Sequence, residues 1–192
     1  MDDGVIKYRC HWNKQHSFIE SDLASIIYWR DKAFTKAYIG VYDNGIGFGN
    51  ISRREEAGFI ISGSATGNKA KTTIDHYALV DKWNIKENQL WCRGAVQASS
   101  ESLSHAVIYD TVAEVKCILH IHDAKLWQKY YSILPSTSKE IEYGTPEMAL
   151  AIQELILSSR SQSGIFLMKG HEEGLISFGN TFEHVFEIFE NL

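Results

Sequence analysis

The chain has 192 residues, a formal net charge of −5, and 44% hydrophobic and 22% charged side chains. That size fits one domain, residues 1–192, falls short of the about 250 residues of a (β/α)8 barrel, and carries enough apolar residue for a packed core. The acidic balance offers no field to hold a nucleic-acid backbone, and no run approaches the ~20 apolar residues of a membrane span, so neither nucleic acid nor a membrane is an expected partner.

The first residues, from Met1 to Arg9, contain no apolar run of signal-peptide length. Cys10, Cys92 and Cys117 are an odd count at wide spacing, which argues against a disulfide framework and for a reducing, cytoplasmic setting.

Taken in chain order, Leu23, Ile26, Ile27, Arg30 and Phe34 recur at helical spacing behind Ser21 and Asp22, predicting a helix over residues 23–36. A short strand over 38–42 leads into the glycine-rich stretch 44–50, then a strand over 58–61 and a polar loop over 62–67. Residues 73–80 read as a short helix and 89–93 as a strand. Ser99 and Ser100 read as caps of a helix reaching about residue 112, and 115–122 as a strand. Thr145 before Pro146 is a strong helix start, for a helix ending near residue 159. Strands over 165–169 and 175–178 flank a tight turn, and residues 181–190 close the chain as a helix. Strands punctuated by helices predict an α/β or α+β fold with one sheet covered by helices.

Three segments carry chemistry. In Leu119-His120-Ile121-His122-Asp123 the histidines stand two apart, so on a strand both imidazoles project from one face while Leu119 and Ile121 point into the core. Two neighbouring imidazoles suit a divalent metal; equally, one can be a hydrogen-bonded core residue and the other solvated. The glutamate a cupin needs after this pair is absent, as is the x-Asp-His continuation of the metallo-β-lactamases. His171 lies in a glycine-flanked turn between apolar strands, where it can deliver a third nitrogen or decorate an exposed turn. Ser99-Ser100-Glu101 opens a helix whose N-terminal N–H groups suit a phosphate, with Glu101 placed as a base or simply set against the helix dipole.

In this order the segments resemble the class II aldolase/adducin family, over residues 40–181. Gly49-Asn50-Ile51-Ser52 with Arg54, Ser99-Ser100-Glu101 with His105, His120-x-His122, and His171 before Gly174-Leu175-Ile176 are similar to that family's motifs. The resemblance implies a three-layer αβα fold, with a central, mostly antiparallel sheet flanked by helices, and a homo-oligomer, commonly a tetramer. It implies Zn2+ or another divalent transition metal on His120, His122 and His171, with Glu101 as acid/base. It implies a small phosphorylated substrate held by Gly49, Asn50, Ser99 and Ser100, with either Ser62-Gly63-Ser64 or Thr66-Gly67 completing the cradle. The chemistry implied is that of a lyase acting on a sugar phosphate or hydroxy-ketone through an enediolate. Dehydration, epimerisation or a non-catalytic adducin-like scaffold are the alternatives.

Departures from the family pattern are confined to three places. The interval from His122 to Tyr143 is short, and it is where sugar-phosphate aldolases carry a catalytic tyrosine. The chain stops one helix after the last strand. The third-histidine turn holds two extra residues, Glu172 and Glu173, which either add a ligand or face water, with water expected. A different or smaller substrate than fuculose phosphate follows from these.

Overall fold

The computed structural model describes residues 5–15 and 23–192. An eight-stranded sheet divides the molecule. It is built from β1 (Arg9–Lys14), β4 (Asn50–Glu55), β5 (Gly58–Ser62), β6 (Tyr77–Asn84), β7 (Gln89–Gly94), β8 (Cys117–His122), β9 (Gly164–Leu167) and β10 (Gly174–Gly179). Its order is β1-β7-β6-β5-β4-β8-β10-β9. The β1–β7 pairing is parallel and the other pairings are antiparallel. Two tiny strands, β2 (Gly40–Val41) and β3 (Gly47–Phe48), form a separate hairpin.

Alternation along the strands gives each face its own core. On one face α2 (Ser102–Thr111) and α4 (Pro146–Ser159) bury Leu103, Val107, Met148 and Ile152 against Phe59, Ile61 and Ile118. On the other, α1 (Ala24–Thr35) and α5 (Phe182–Glu190) bury Ile26, Trp29, Val185 and Phe186 against Ile51, Leu119 and Ile121. Each fully buried apolar side chain of this size contributes about 1.5–3 kcal/mol. The result is a three-layer α/β arrangement around a mostly antiparallel sheet, as the resemblance implied.

Local signals set the helix ends. The Thr145 hydroxyl accepts from the Met148 N–H at 3.2 Å behind Pro146, and Thr181 caps α5 through the His184 N–H at 3.2 Å. Asp123 accepts from the Leu126 N–H at 2.9 Å and starts α3 (Ala124–Tyr130) directly after β8. That cap ends the strand at His122. Arg54 donates to the carbonyls of Tyr109 at 2.6 Å and Val112 at 3.0 Å, a cation at the C-terminal end of α2 where the helix dipole favours one.

Two expectations need correction. Residues 73–80 are not a helix: one 3-10 turn, Ile74–His76, precedes β6. Tyr77, Ala78 and Val80 are fully buried, and β6 is paired on both sides, so sheet context overrides helix propensity beyond the turn that Thr73 caps. Ser99 and Ser100 also lie outside the helix they were expected to cap, since α2 begins at Ser102 with Glu101 as the flanking residue. Strands β1 and β4 and helix α3 were not anticipated; RCHWNK alternates over only two apolar residues, Cys10 and Trp12, and NISRRE carries only one, Ile51. The helix start expected at Ser21-Asp22 lies outside the described residues.

Candidate active site

The site forms at one end of β8. His120 and His122 project from the same face, and register places Asn50 beside His120 and Gly174 beside His122. Gly49 makes the approach of the preceding chain feasible. Its φ is +71°, and a Cβ there would meet the Tyr38 carbonyl oxygen at 2.6 Å and the His120 carbonyl oxygen at 3.1 Å. The turn after β9 brings in His171, whose backbone N–H donates to the Met168 carbonyl at 2.9 Å.

The three imidazoles are buried, and their ligand-capable nitrogens all lie within 4.8 Å of one another. The Nε2 atoms of His120 and His122 are 3.1 Å apart. Their outer nitrogens are engaged: His120 Nδ1 lies 3.1 Å from the Leu175 carbonyl oxygen, and His122 Nδ1 lies 2.8 Å from Tyr42 Oη. Burial, reinforced by the neighbouring His171, holds both imidazoles well below the usual histidine value. They are therefore neutral bases, the protonation state a metal requires. Tyr143 stacks on His171 with centroids 4.4 Å apart, and the Lys7 ammonium lies 3.9 Å from the Tyr143 centroid.

Glu101 is 2% exposed. Its Oε2 accepts from the Ser104 hydroxyl at 3.0 Å, and its Oε1 lies 3.9 Å from His171 Nδ1. The carboxylate thus lies beside His171 at the edge of the triad, and the three imidazole nitrogens fit a divalent transition ion with room left for a further ligand.

A cavity of about 320 Å³ opens over these groups. Gly49, Asn50, Ser99, Ser100, Glu101 and the three histidines line one part, and residues 63–68 line another. Asn50 is 4% exposed, and its side-chain oxygen has no hydrogen-bond partner among the described residues. Gly63 lies on the wall and bridges to Ala98, tying the loop to the Ser99 segment. Ser62 is placed differently: it ends β5, off the cavity wall, and its hydroxyl accepts from the Ile51 N–H at 3.2 Å. Of the two alignments left open for the cradle, both Gly63-Ser64 and Thr66-Gly67 reach the cavity.

Several contributors have no sequence signal of their own. Arg30, on α1, is fully buried and donates to the carbonyls of Thr66 at 2.6 Å and of Lys69. Its neighbour Asp31 accepts from the Thr72 N–H at 3.1 Å. Together they anchor the loop that walls the cavity. Glu173 does not simply face water, as expected; it accepts from Tyr42 Oη at 2.9 Å, while Glu172 is exposed. His105 is a core residue, with Nδ1 2.7 Å from the Ser52 hydroxyl.

An αβα sandwich with a buried histidine triad at one sheet end defines a domain class with a candidate metal site. The chain belongs to the class II aldolase and adducin N-terminal domain family, whose model matches residues 40–192. A methylthioribulose-1-phosphate dehydratase from Pseudoalteromonas translucida (strain TAC 125) is 32% identical over 74 residues, 38% of this chain. The match spans about a third of that relative's length, 32%. Among solved structures, L-fuculose-1-phosphate aldolase from Thermus thermophilus superposes with a TM-score of 0.59 at 22% identity, covering 87% of this chain and 85% of the other. A sugar-phosphate aldolase from Thermotoga maritima gives 0.60 at 16% identity, covering 86% and 89%. These likenesses establish the fold. Among the described residues no helix is long and apolar enough to cross a membrane.

Proposed function

We propose that this chain is a metal-dependent lyase acting on a small phosphorylated sugar or related hydroxy-ketone. The observation that carries the reading is the convergence of three buried histidines and Glu101 in a cavity also walled by the 45–50 stretch, the 63–68 loop and the Ser99-Ser100 segment. His120, His122 and His171 would hold Zn2+ or a similar divalent ion. Such an ion, when bound, supplies Lewis-acid polarisation of a carbonyl and an adjacent hydroxyl.

The chain's own groups supply the rest. Glu101, buried and fixed by Ser104, takes a proton from the bound substrate and returns it, and its burial beside His171 keeps water from competing. Asn50 and the hydroxyls of Ser99 and Ser100 bind and orient the phosphate end, with Gly49, Gly63 and the rest of the 63–68 loop allowing close approach of backbone. Carbon–carbon cleavage and loss of water from a hydroxy-ketone share this proton step. The similarity to a methylthioribulose-1-phosphate dehydratase supports dehydration as the second reading. By family resemblance the working unit is a homo-oligomer, a tetramer, and the three free cysteines fit a cytoplasmic setting.

The test is elemental analysis of protein purified without a metal-affinity tag, followed by a screen of sugar phosphates for aldol cleavage, dehydration and epimerisation. About one transition ion per chain, together with turnover lost in Glu101→Gln while the metal stays bound, supports the lyase. A protein that takes up no zinc and binds no phosphorylated ligand overturns it in favour of an adducin-like scaffold.

A further inference from the structure

Tyr42 and Glu173 stand behind His122, away from the cavity. Tyr42 follows β2 at the head of the hairpin to β3, and Glu173 sits in the turn before β10 with a left-handed φ of +65°. The two are 131 positions apart in the chain, yet Tyr42 Oη lies 2.9 Å from Glu173 Oε2 and 2.8 Å from His122 Nδ1.

Counting protons orders this chain of contacts. A carboxylate only accepts, so the single hydroxyl proton of Tyr42 goes to Glu173. Tyr42 Oη is then an acceptor toward His122, and Nδ1 of His122 must carry the ring proton. His120 reaches the same state by a shorter route, because the Leu175 carbonyl can only accept from its Nδ1. Both rings are thereby committed to the Nδ1–H form, and two Nε2 lone pairs face each other at 3.1 Å. Two lone pairs at that distance repel unless a cation sits with them.

We propose that Glu173 and Tyr42 are positioning residues that lock His122 in its Nδ1–H tautomer and aim its Nε2 lone pair at the triad. Outer-sphere partners of this kind fix ring orientation and raise ligand basicity. The backbone prepares the relay. The Asp123 N–H donates to the Glu173 carbonyl at 3.1 Å, and the His122 N–H donates to the Tyr38 carbonyl at 3.2 Å, so both ends of the relay are fastened to β8 and its cap. The turn between β9 and β10 carries Glu173 to this position.

This inference rests on the reading of the triad as a metal site, but its first test does not need metal. In metal-free protein, long-range 1H–15N correlation spectra of the imidazoles report which nitrogen of His122 is protonated. The expected result is Nδ1–H in the parent and a shift toward Nε2–H in both Tyr42→Phe and Glu173→Ala. The first removes the acceptor of Nδ1–H; the second frees the tyrosine proton to turn toward Nδ1. Glu173→Gln keeps an acceptor and is expected to restore the parent tautomer.

The second readout is zinc affinity by competition with a chromophoric chelator. Tyr42→Phe and Glu173→Ala are each expected to weaken it about 10–100-fold, with the double variant no weaker than the stronger single, because one relay is broken once. An unchanged His122 tautomer and unchanged zinc affinity in Tyr42→Phe overturn the proposal. They would mean that packing of the Tyr42 ring on Phe48, 4.6 Å between centroids, is the whole role of that tyrosine. Should the parent bind no zinc, the metal reading fails while the tautomer spectra still decide the relay. Should Tyr42→Phe not fold, the Glu173→Ala and Glu173→Gln pair decides it.

Discussion

Arg30 donates to the Thr66 carbonyl at 2.6 Å from a position with no solvent exposure. The guanidinium reaches across from α1 to hold the far wall of the cavity, and burial lowers its affinity for a proton without removing the charge. Arg30→Met keeps much of the stem but leaves the carbonyls of Thr66 and Lys69 without their charged donor. Hydrogen bonds to charged groups are each worth about 1.5–3 kcal/mol, so a loss of about 3 kcal/mol in urea unfolding is expected. Weaker binding of phosphorylated ligands should accompany it as the 63–68 loop loosens. Unfolding indistinguishable from the parent would assign the loop's support to other contacts.

Zinc should stabilise the fold measurably if the triad holds it. A ligand present at a hundred times its dissociation constant adds about 2.7 kcal/mol, which for a domain of this size is a rise of about 5–10 °C in melting temperature. Thermal melts in chelator and after zinc addition should differ by that amount in the parent and not at all in His120→Ala. A zinc-induced rise that survives in His120→Ala would place the ion elsewhere.

The histidine pair was legible because strand alternation alone puts residues 120 and 122 on one face. His171 and Glu101 became legible only through the order of the motifs, since nothing local distinguishes a ligand in a glycine-flanked turn from a solvated one. Arg30 was read as one position of the apolar stripe of α1, which correctly located it in the interior but gave no hint of the carbonyls it serves 36 to 39 residues away. Residues 73–80 misled because what makes β6 a strand is pairing with its sequence neighbours β5 and β7 on both sides, which the window itself does not display. β1 is an edge strand in parallel pairing, and its fragment RCHWNK has too few apolar residues, Cys10 and Trp12, to announce itself. Tyr42 and Glu173 meet only in three dimensions, so the extra turn length was visible and its use was not.

Gly49 should not tolerate a side chain. Alanine there meets backbone oxygen at 2.6 Å on one side and at 3.1 Å on another, at a φ of +71°. Left-handed backbone is itself unfavourable by roughly 1–2 kcal/mol for a residue with a Cβ. The clash involves the carbonyl of His120, so relief of it moves a candidate ligand. Gly49→Ala is expected to lower stability by about 2–4 kcal/mol and to lower zinc affinity together with it. Loss of stability with parent-like zinc affinity would show that the strain relaxes toward Tyr38 rather than toward the site.

Acid stability supplies a test of the core between β4 and α2. His105 is fully enclosed, and burial pulls it down to about 3. The folded protein therefore keeps it neutral throughout the range in which the unfolded chain, titrating near 6.5, takes up a proton. Because the unfolded state binds the extra proton, stability is retained above about 6.5 and falls as the pH drops from there toward about 3. The slope due to this one residue is about 1.4 kcal/mol per pH unit. His105→Asn loses that titration while leaving a polar group within reach of Ser52. Urea unfolding of chelator-treated protein at a series of pH values should thus give a curve shallower by about that slope in the variant, even if the variant is less stable at pH 7. Parallel curves for parent and variant would mean that His105 is protonated in the folded state and that its partner Ser52 acts as an acceptor.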